Sequence, residues 1–143
     1  MADLNVATPA NVAAASGAVI RAVTAGATIT QGQVVYQDST DSNKYKLAQC
    51  DTTAAEAAAV GIALNAASDG QPLRIITSGG IDPDATVVVG EVYMVSATAG
   101  GIAPIIDLVV GNFPTILGVG TTATNIQMGI NAAGVAAAAG IGY

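Results

Sequence analysis

Residues 27–36 read ATITQGQVVY, and residues 85–94 read ATVVVGEVYM. Both segments begin with Ala-Thr and place a glycine at the sixth position, which offsets them by 58 residues from Gly32 to Gly90. A second pair, VGIA and LGVG, is offset by 57 residues from Gly61 to Gly118. Because two separated pairs keep nearly the same offset, we interpret them as an internal repeat. Short Gly- and Val-rich strands also resemble one another by chance, and the sequence alone leaves that alternative open.

Short β-branched runs separated by turn residues occur along most of the chain. Their spacing of about 8–12 residues is typical of an all-β sandwich or barrel. Strands are predicted at 19–23, 34–37, 45–48, 60–64, 73–77, 86–89, 91–95, 115–119 and 125–128.

Turn signals divide these strands. The polar sequence DSTDSN at 38–43 predicts a β-hairpin over 34–48, and glycines predict tight turns at 69–70 and 99–101.

The one helical candidate is 53–59, where Thr53 and Glu56 fit a capping box. About two turns of helix are not stable alone, so we interpret this segment as a cap on a loop.

These patterns predict one small β-barrel or sandwich over residues 18–131, built from two similar strand sets with pseudo-twofold symmetry. The repeat halves span about 27–77 and 85–130, and each alone is too small to bury its apolar face. Residues 1–17 and 132–143 lack helical amphipathicity and are predicted to be extended N- and C-terminal arms. Each arm is expected to lie on a neighbouring subunit; the alternative is a short terminal strand packed on its own barrel.

Composition restricts the classes of function. Only 10% of residues are charged, against about a quarter in an ordinary soluble domain, although 52% are hydrophobic. So little charge suits a surface that faces other protein, which favours a homo-oligomer or a subunit of a large assembly. Four Lys and Arg residues in a chain of net charge −6 argue against nucleic-acid binding, and the absence of His excludes histidine catalysis.

The uncharged stretch 108–143 is interrupted by polar residues, so no membrane helix is expected and no membrane partner. The N-terminus lacks the basic region of a secretory signal, and a single cysteine, Cys50, cannot form an intramolecular disulfide. These features predict synthesis in a reducing cytoplasm.

Candidate chemical groups are few. Asp82 and Asp84 flank a proline, a pattern that suits either acid/base or metal chemistry or, more simply, a solvated turn. Asp38, Asp41 and Asn43 have calcium-like spacing but lack the distal glutamate of an EF-hand, which favours a hairpin turn. Cys50 has no cationic neighbour in sequence to activate its thiol. We therefore predict no catalytic, cofactor-binding or metal site and no enzymatic activity.

Three segments carry a resemblance to a known family: TAGATITQGQVVYQD (24–38), AAAVGIALNAASDGQPLRIITSG (57–79) and VGEVYMVSATAGGIAPIIDLVVGNFPTILGVGTTATNIQMGI (89–130). Their order, with a Ser-x-Thr-Ala-Gly-Gly turn at 96–101, resembles the small capsid decoration (cement) proteins of tailed bacteriophages over residues 23–130. The resemblance implies an all-β subunit, commonly a homotrimer, bound to the major capsid protein outside an icosahedral head and joining adjacent capsomers. Similar strand patterns occur in phage head-fibre bases.

Three function classes follow. The leading expectation is a cement protein, made in the host cytoplasm and located on the outer surface of the virion, in which residues 1–17 or 132–143 make the intersubunit or capsid contact. A head-fibre base or a receptor- or glycan-binding adhesion module is the alternative, although sugar-binding platforms favour aromatic residues and only 3% of this chain is aromatic. An enzyme or regulatory barrel is the third class, because the absence of a motif is not proof.

Overall fold

The computed structural model describes residues 3–138, and strands dominate the regular structure of this part of the chain. The predicted all-β class is confirmed. The strands are β1 (Ala13–Ala14), β2 (Val19–Thr24), β3 (Val34–Asp38), β4 (Lys44–Leu47), β5 (Ala59–Ala63), β6 (Pro72–Asp82), β7 (Val92–Val95), β8 (Ile102–Pro104), β9 (Thr115–Gly120) and β10 (Ile126–Ala132). The helical elements are α1 (Ala54–Ala57) and two 3-10 turns, Pro9–Asn11 and Ile105–Asp107.

The sheet has a symmetric strand order. The strands follow in the order β4-β3-β5-β6-β10-β9-β7-β8, which places β6 and β10 at the centre of the sheet. Every neighbouring pair is antiparallel. On either side of this centre the strands follow in the same sequence, β5-β3-β4 on one side and β9-β7-β8 on the other. Outside this path, β1 and β2 both pair with β6.

The two halves also share their register. Val35 pairs with Gly61 between β3 and β5, and Tyr93 pairs with Gly118 between β7 and β9. In each half the register shifts immediately after this pair, so even the irregularity of the ladder is repeated. The fold is therefore built from two similar strand sets, related by the offsets of 58 and 57 residues seen in the sequence.

The repeated glycines serve the same turn in both halves. Gly32 has φ +94° and Gly90 has φ +84°, a region that favours glycine. The Gly32 N–H donates to the Ala63 carbonyl at 2.8 Å, and the Gly90 N–H donates to the Gly120 carbonyl, also at 2.8 Å. Each turn thereby fixes the start of β3 or β7 against the end of β5 or β9.

The sheet curls so that hydrogen bonds connect the regions near its two ends. The Val34 N–H donates to the Gly100 carbonyl at 2.9 Å, and the Gly100 N–H donates to the Ala48 carbonyl at 2.8 Å. These bonds join the chain near β3 and β4 to the turn between β7 and β8. The curled sheet forms a half-barrel around a core to which both repeat halves contribute, with a second, smaller core beside β2 and β4.

One predicted strand is wrong. Residues 86–89 form no strand, although they are rich in valine. Val87 is buried in the core and its N–H donates to the Ala123 carbonyl, but the next N–H, that of Val88, donates to the side-chain oxygen of Tyr93 at 3.0 Å. The Tyr93 hydroxyl oxygen therefore accepts from a backbone N–H that strand pairing would require, and the chain turns at Gly90.

The other local predictions agree within a few residues. The hairpin over 34–48 is the β3–β4 pair, and the glycine turns at 69–70 and 99–101 are present. Thr53 caps α1 by accepting the Glu56 N–H at 3.2 Å, but the helix ends at Ala57 because β5 begins at Ala59. The two- and three-residue strands β1 and β8 were not predicted, since so few residues carry no periodic pattern.

Candidate functional site

Four large apolar side chains are exposed on two segments, residues 105–112 and 133–137, that hydrogen-bond to each other. They are each between 54% and 67% exposed, and we call them the apolar surface: Ile106, Val109, Val110 and Val135. Solvent-exposed valine and isoleucine in such a group are typical of protein contact surfaces, whereas scattered ones are not informative.

Two segments build the apolar surface. The 3-10 turn at Ile105–Asp107 leads into a loop that returns to the sheet at β9. Residues 133–137 run beside this loop, where the Ala137 N–H donates to the Asn112 carbonyl at 2.7 Å and the Gly111 N–H donates back to the Ala137 carbonyl at 2.9 Å. The described part of the predicted C-terminal arm therefore contacts its own chain; residues 139–143 lie outside the described residues.

A groove of about 320 Å³ lies between these segments. Its walls are almost entirely apolar and come from both segments and from β9. The lining includes Ile105, Leu108, Pro114, Ile116 and Val135. Val135 lines the groove and is also one of the four exposed side chains, so the groove borders the apolar surface at this residue.

The N-terminal segment lies on the barrel of its own chain. The Leu4 N–H donates to the Ile102 carbonyl at 2.8 Å, so the segment lies along β8. Val12 is buried in the core. The Gln31 side chain donates to the Val12 carbonyl at 2.6 Å. Residues 3–14 therefore pack on the barrel of their own chain, which was the alternative to an arm on a neighbouring subunit. Met1 and Ala2 lie outside the described residues.

A cleft of about 530 Å³ opens where this segment meets the end of β6. Four carboxylates line it: Asp3, Asp82, Asp84 and Glu91. Three of them have structural partners. Asp3 accepts a hydrogen bond from the Ser96 hydroxyl at 2.7 Å, Asp82 from the Asp84 N–H at 2.9 Å, and Asp84 from the Thr8 N–H at 2.9 Å.

The Asp82 and Asp84 pair therefore forms a turn. Asp84 has φ +50°, and its carboxylate holds the N-terminal segment in place. Among residues 3–138 no group of three or more His, Cys, Asp or Glu side chains is arranged to hold a metal ion. The same part of the chain has no helix long and apolar enough to cross a membrane.

No protein-family model and no curated protein matches this chain.

The second acidic group belongs to the β3–β4 hairpin. Asp38 accepts hydrogen bonds from the Thr40 N–H and hydroxyl at 2.9 and 2.6 Å and from the Lys46 ammonium at 2.9 Å. Lys46 also lies 3.1 Å from Asp41, and Asn43 has φ +58° in the turn. The carboxylates are occupied by the hairpin itself, which agrees with the turn interpretation rather than with a calcium site.

These contacts change the ionisation of the hairpin. The hydrogen bonds from Thr40, followed by that from Lys46, lower the pKa of Asp38 from 3.8 to about 2. The same carboxylates raise the pKa of Lys46 above its usual value. Since the pKa of Asp38 is lower in the folded chain than in the unfolded one, its ionised form stabilises the fold above about pH 4, and this contribution is lost as the pH falls towards 2.

The variant Asp38→Asn tests this pH dependence. We expect wild type to be more stable than the variant at pH 6, and the difference in urea midpoint to shrink between about pH 4 and pH 2. Urea unfolding followed by circular dichroism at several pH values measures it. A difference that stays constant over this range contradicts the assigned role of Asp38.

Cys50 is a core residue. It has no exposed surface. Its own N–H donates to the Ser96 carbonyl, and its carbonyl accepts from the Phe113 N–H. Burial, with the nearby charge of Asp51, raises the pKa of the Cys50 thiol. A buried thiol with a raised pKa has little of the thiolate that nucleophilic or redox chemistry requires, so the structure places Cys50 in a packing role.

The apolar surface is the feature that sequence analysis missed. The apolar run IIDLVV at 105–110 was its signal, because such a run without a predicted strand must be either buried or in contact with a partner. What could not be read from the sequence is that residues 133–137 fold back beside this run.

Proposed function

We propose that this protein is a capsid decoration (cement) protein. It binds, as a homotrimer, to the outer surface of an icosahedral phage head, where it contacts the major capsid protein and stabilises neighbouring capsomers. The observation that carries the proposal is the apolar surface with its groove, which suits a structural contact with protein and which a free monomer would expose to water.

The sequence supports the same role. The order of the sequence segments over residues 23–130 resembles that of phage decoration proteins, and the repeated half-barrel fits the all-β subunit which that resemblance implies. A net charge of −6 suits the outside of a head, because packaged DNA would repel an acidic protein within. A cement role needs contact surfaces and no catalytic group, so the proposed function is not enzymatic.

Multivalency explains how modest surfaces hold a head together. One apolar surface of four side chains is small beside a stable protein interface, which buries about 800 Å² on each partner. Three copies joined in a trimer present three such surfaces at once, so the second and third contacts form at high effective concentration. A homotrimer therefore binds a repeating lattice much more tightly than a single subunit does.

The stoichiometry of purified virus particles tests the proposal. Quantitative mass spectrometry of density-purified particles measures the ratio of this chain to the major capsid protein. We expect a ratio near one to one or a simple fraction of it, which means that the protein covers the lattice. A few copies per particle would identify a fibre or vertex component instead, and complete absence would refute a role in the virion.

A further inference from the structure

The first described residues lie across the barrel as a strap. Residues 3–11, which we call the strap, contain no strand, and most of their side chains are exposed. Leu4 and Val6 are half-buried and pack against the larger core. Val12, directly after the strap, is buried, and its carbonyl accepts from the Gln31 side chain. The strap is therefore fixed at its C-terminal end and held elsewhere by two apolar side chains.

The strap covers the end of the sheet. Among the described residues β8 is the last strand in the order and pairs only with β7, yet all three of its residues are buried. The Leu4 N–H donates to the Ile102 carbonyl, and Leu4 lines one cleft with Ile102 and another with Pro104. Without the strap β8 would be an uncovered edge strand, and such edges pair readily with other chains.

A few further hydrogen bonds tie the strap to the barrel. The Ala7 and Thr8 N–H groups donate to the carbonyl and the carboxylate of Asp84 at 3.0 and 2.9 Å. Asp3 accepts from the Ser96 hydroxyl at 2.7 Å. Clefts of about 530 and 280 Å³, both lined in part by the strap, leave its flanks unpacked. A segment with few buried apolar contacts and exposed hydrogen bonds opens at a much lower cost than global unfolding.

Like charges share the larger cleft. Asp3 lines it from the strap, whereas Asp82, Asp84 and Glu91 line it from the barrel. No Lys or Arg is among the described residues that line this cleft, since all four cations of the chain lie on β2, β4 and near the start of β6. The ionised carboxylate of Asp3 is therefore repelled by the opposite wall, and dissolved salt screens this repulsion. The charge of the cleft works against closure of the strap.

We propose that the strap opens as a unit about its 3-10 turn, Pro9–Asn11, while the rest of the fold stays intact, and that the shared negative charge of the cleft sets how often it opens. In the closed state Leu4 covers β8. In the open state the β8 edge faces water and is available for strand pairing. The inference is independent of the proposed function, because it concerns contacts within one chain.

Amide hydrogen exchange of the full chain, followed by NMR, tests the opening. The Ala7 and Thr8 amides report on the strap, because both donate to Asp84. The Ala63 amide reports on global unfolding, since it donates to the Gln33 carbonyl and belongs to a buried residue. We expect the strap amides to be at least 100-fold less protected than Ala63. Strap amides as strongly protected as Ala63 would overturn the proposal, because the strap would then detach only when the whole chain unfolds.

Two variants test the unit and its charge. Leu4→Ala removes an apolar anchor, so the Ala7 and Thr8 amides should exchange about tenfold faster although their own hydrogen bonds are unchanged. Glu91→Gln removes a cleft charge that has no hydrogen bond or ion pair within residues 3–138. It should slow their exchange about threefold at low salt and less at high salt.

Asp69→Asn is the matched control for Glu91→Gln. It removes a carboxylate charge in the turn before β6, outside the lining of the cleft, and the exposed pair with Lys44 that it breaks contributes little to stability. We expect the strap amides of this variant to exchange like those of wild type. Wild-type exchange in Leu4→Ala would refute opening as a unit, and equal effects of Glu91→Gln and Asp69→Asn would refute control by the charge of the cleft.

Discussion

Gly118→Ala is expected to lower the free energy of unfolding by about 3 kcal/mol or more. A Cβ at this position would lie 2.2 Å from the Gln127 carbonyl oxygen, far inside van der Waals contact. That oxygen belongs to the backbone of β10, which pairs with both β9 and β6 and cannot withdraw without breaking a central ladder. The cost is therefore overpacking against a fixed backbone rather than against a flexible side chain.

Gly129→Ala is the matched control. Gly129 is likewise a strand glycine, in β10 where Gly118 is in β9, but a Cβ there meets nothing within 4 Å and its φ is not in the left-handed region. We expect its unfolding free energy to stay within about 0.5 kcal/mol of wild type. Gly61→Ala, the equivalent change in the first half, should destabilise too, because its Cβ would lie 2.6 Å from the Ile76 carbonyl.

Urea unfolding monitored by circular dichroism compares these three variants with wild type. The assigned close approach would be wrong if Gly118→Ala unfolded at the same urea concentration as Gly129→Ala. If Gly118→Ala destabilises and Gly61→Ala does not, the two halves differ in how tightly their equivalent strands pack.

Val110→Asp is expected to weaken binding to phage heads by about 100-fold or more. Val110 is 59% exposed, so the change leaves the fold intact and the thermal midpoint close to that of wild type. In the proposed capsid contact, however, the new carboxylate is buried without a cation, which costs several kcal/mol. Binding is therefore lost although folding is retained.

Ser39→Asp is the control for this experiment. It adds the same charge at an exposed position of the β3–β4 turn, outside the apolar surface and its groove. Co-sedimentation of each purified variant with heads that lack the protein measures binding. Wild-type binding by Val110→Asp would exclude the apolar surface as the capsid contact, and equal losses in both variants would indicate a general charge effect.

The sequence by itself determined the class of fold and indicated the repeat, which the strand order and register of the two halves support. Gly32 and Gly90, with Gly61 and Gly118, marked the two halves correctly, because a turn with positive φ and a close backbone approach each require glycine wherever they recur. Thr53 and Glu56 marked the start of α1 for a similarly local reason, a hydrogen bond over three residues. Each of these signals depends on residues that are close together in the chain, so it can be recognised from the sequence alone.

Only the tertiary structure decided the order of the strands and the surfaces. The symmetric arrangement about β6 and β10 and the apolar surface both join residues that are far apart in sequence. The valines at 86–89 show the same limit: their β propensity is real, but Tyr93 takes the Val88 N–H and the strand does not form. Propensity is a property of a residue, whereas pairing depends on which distant groups folding brings within hydrogen-bond distance.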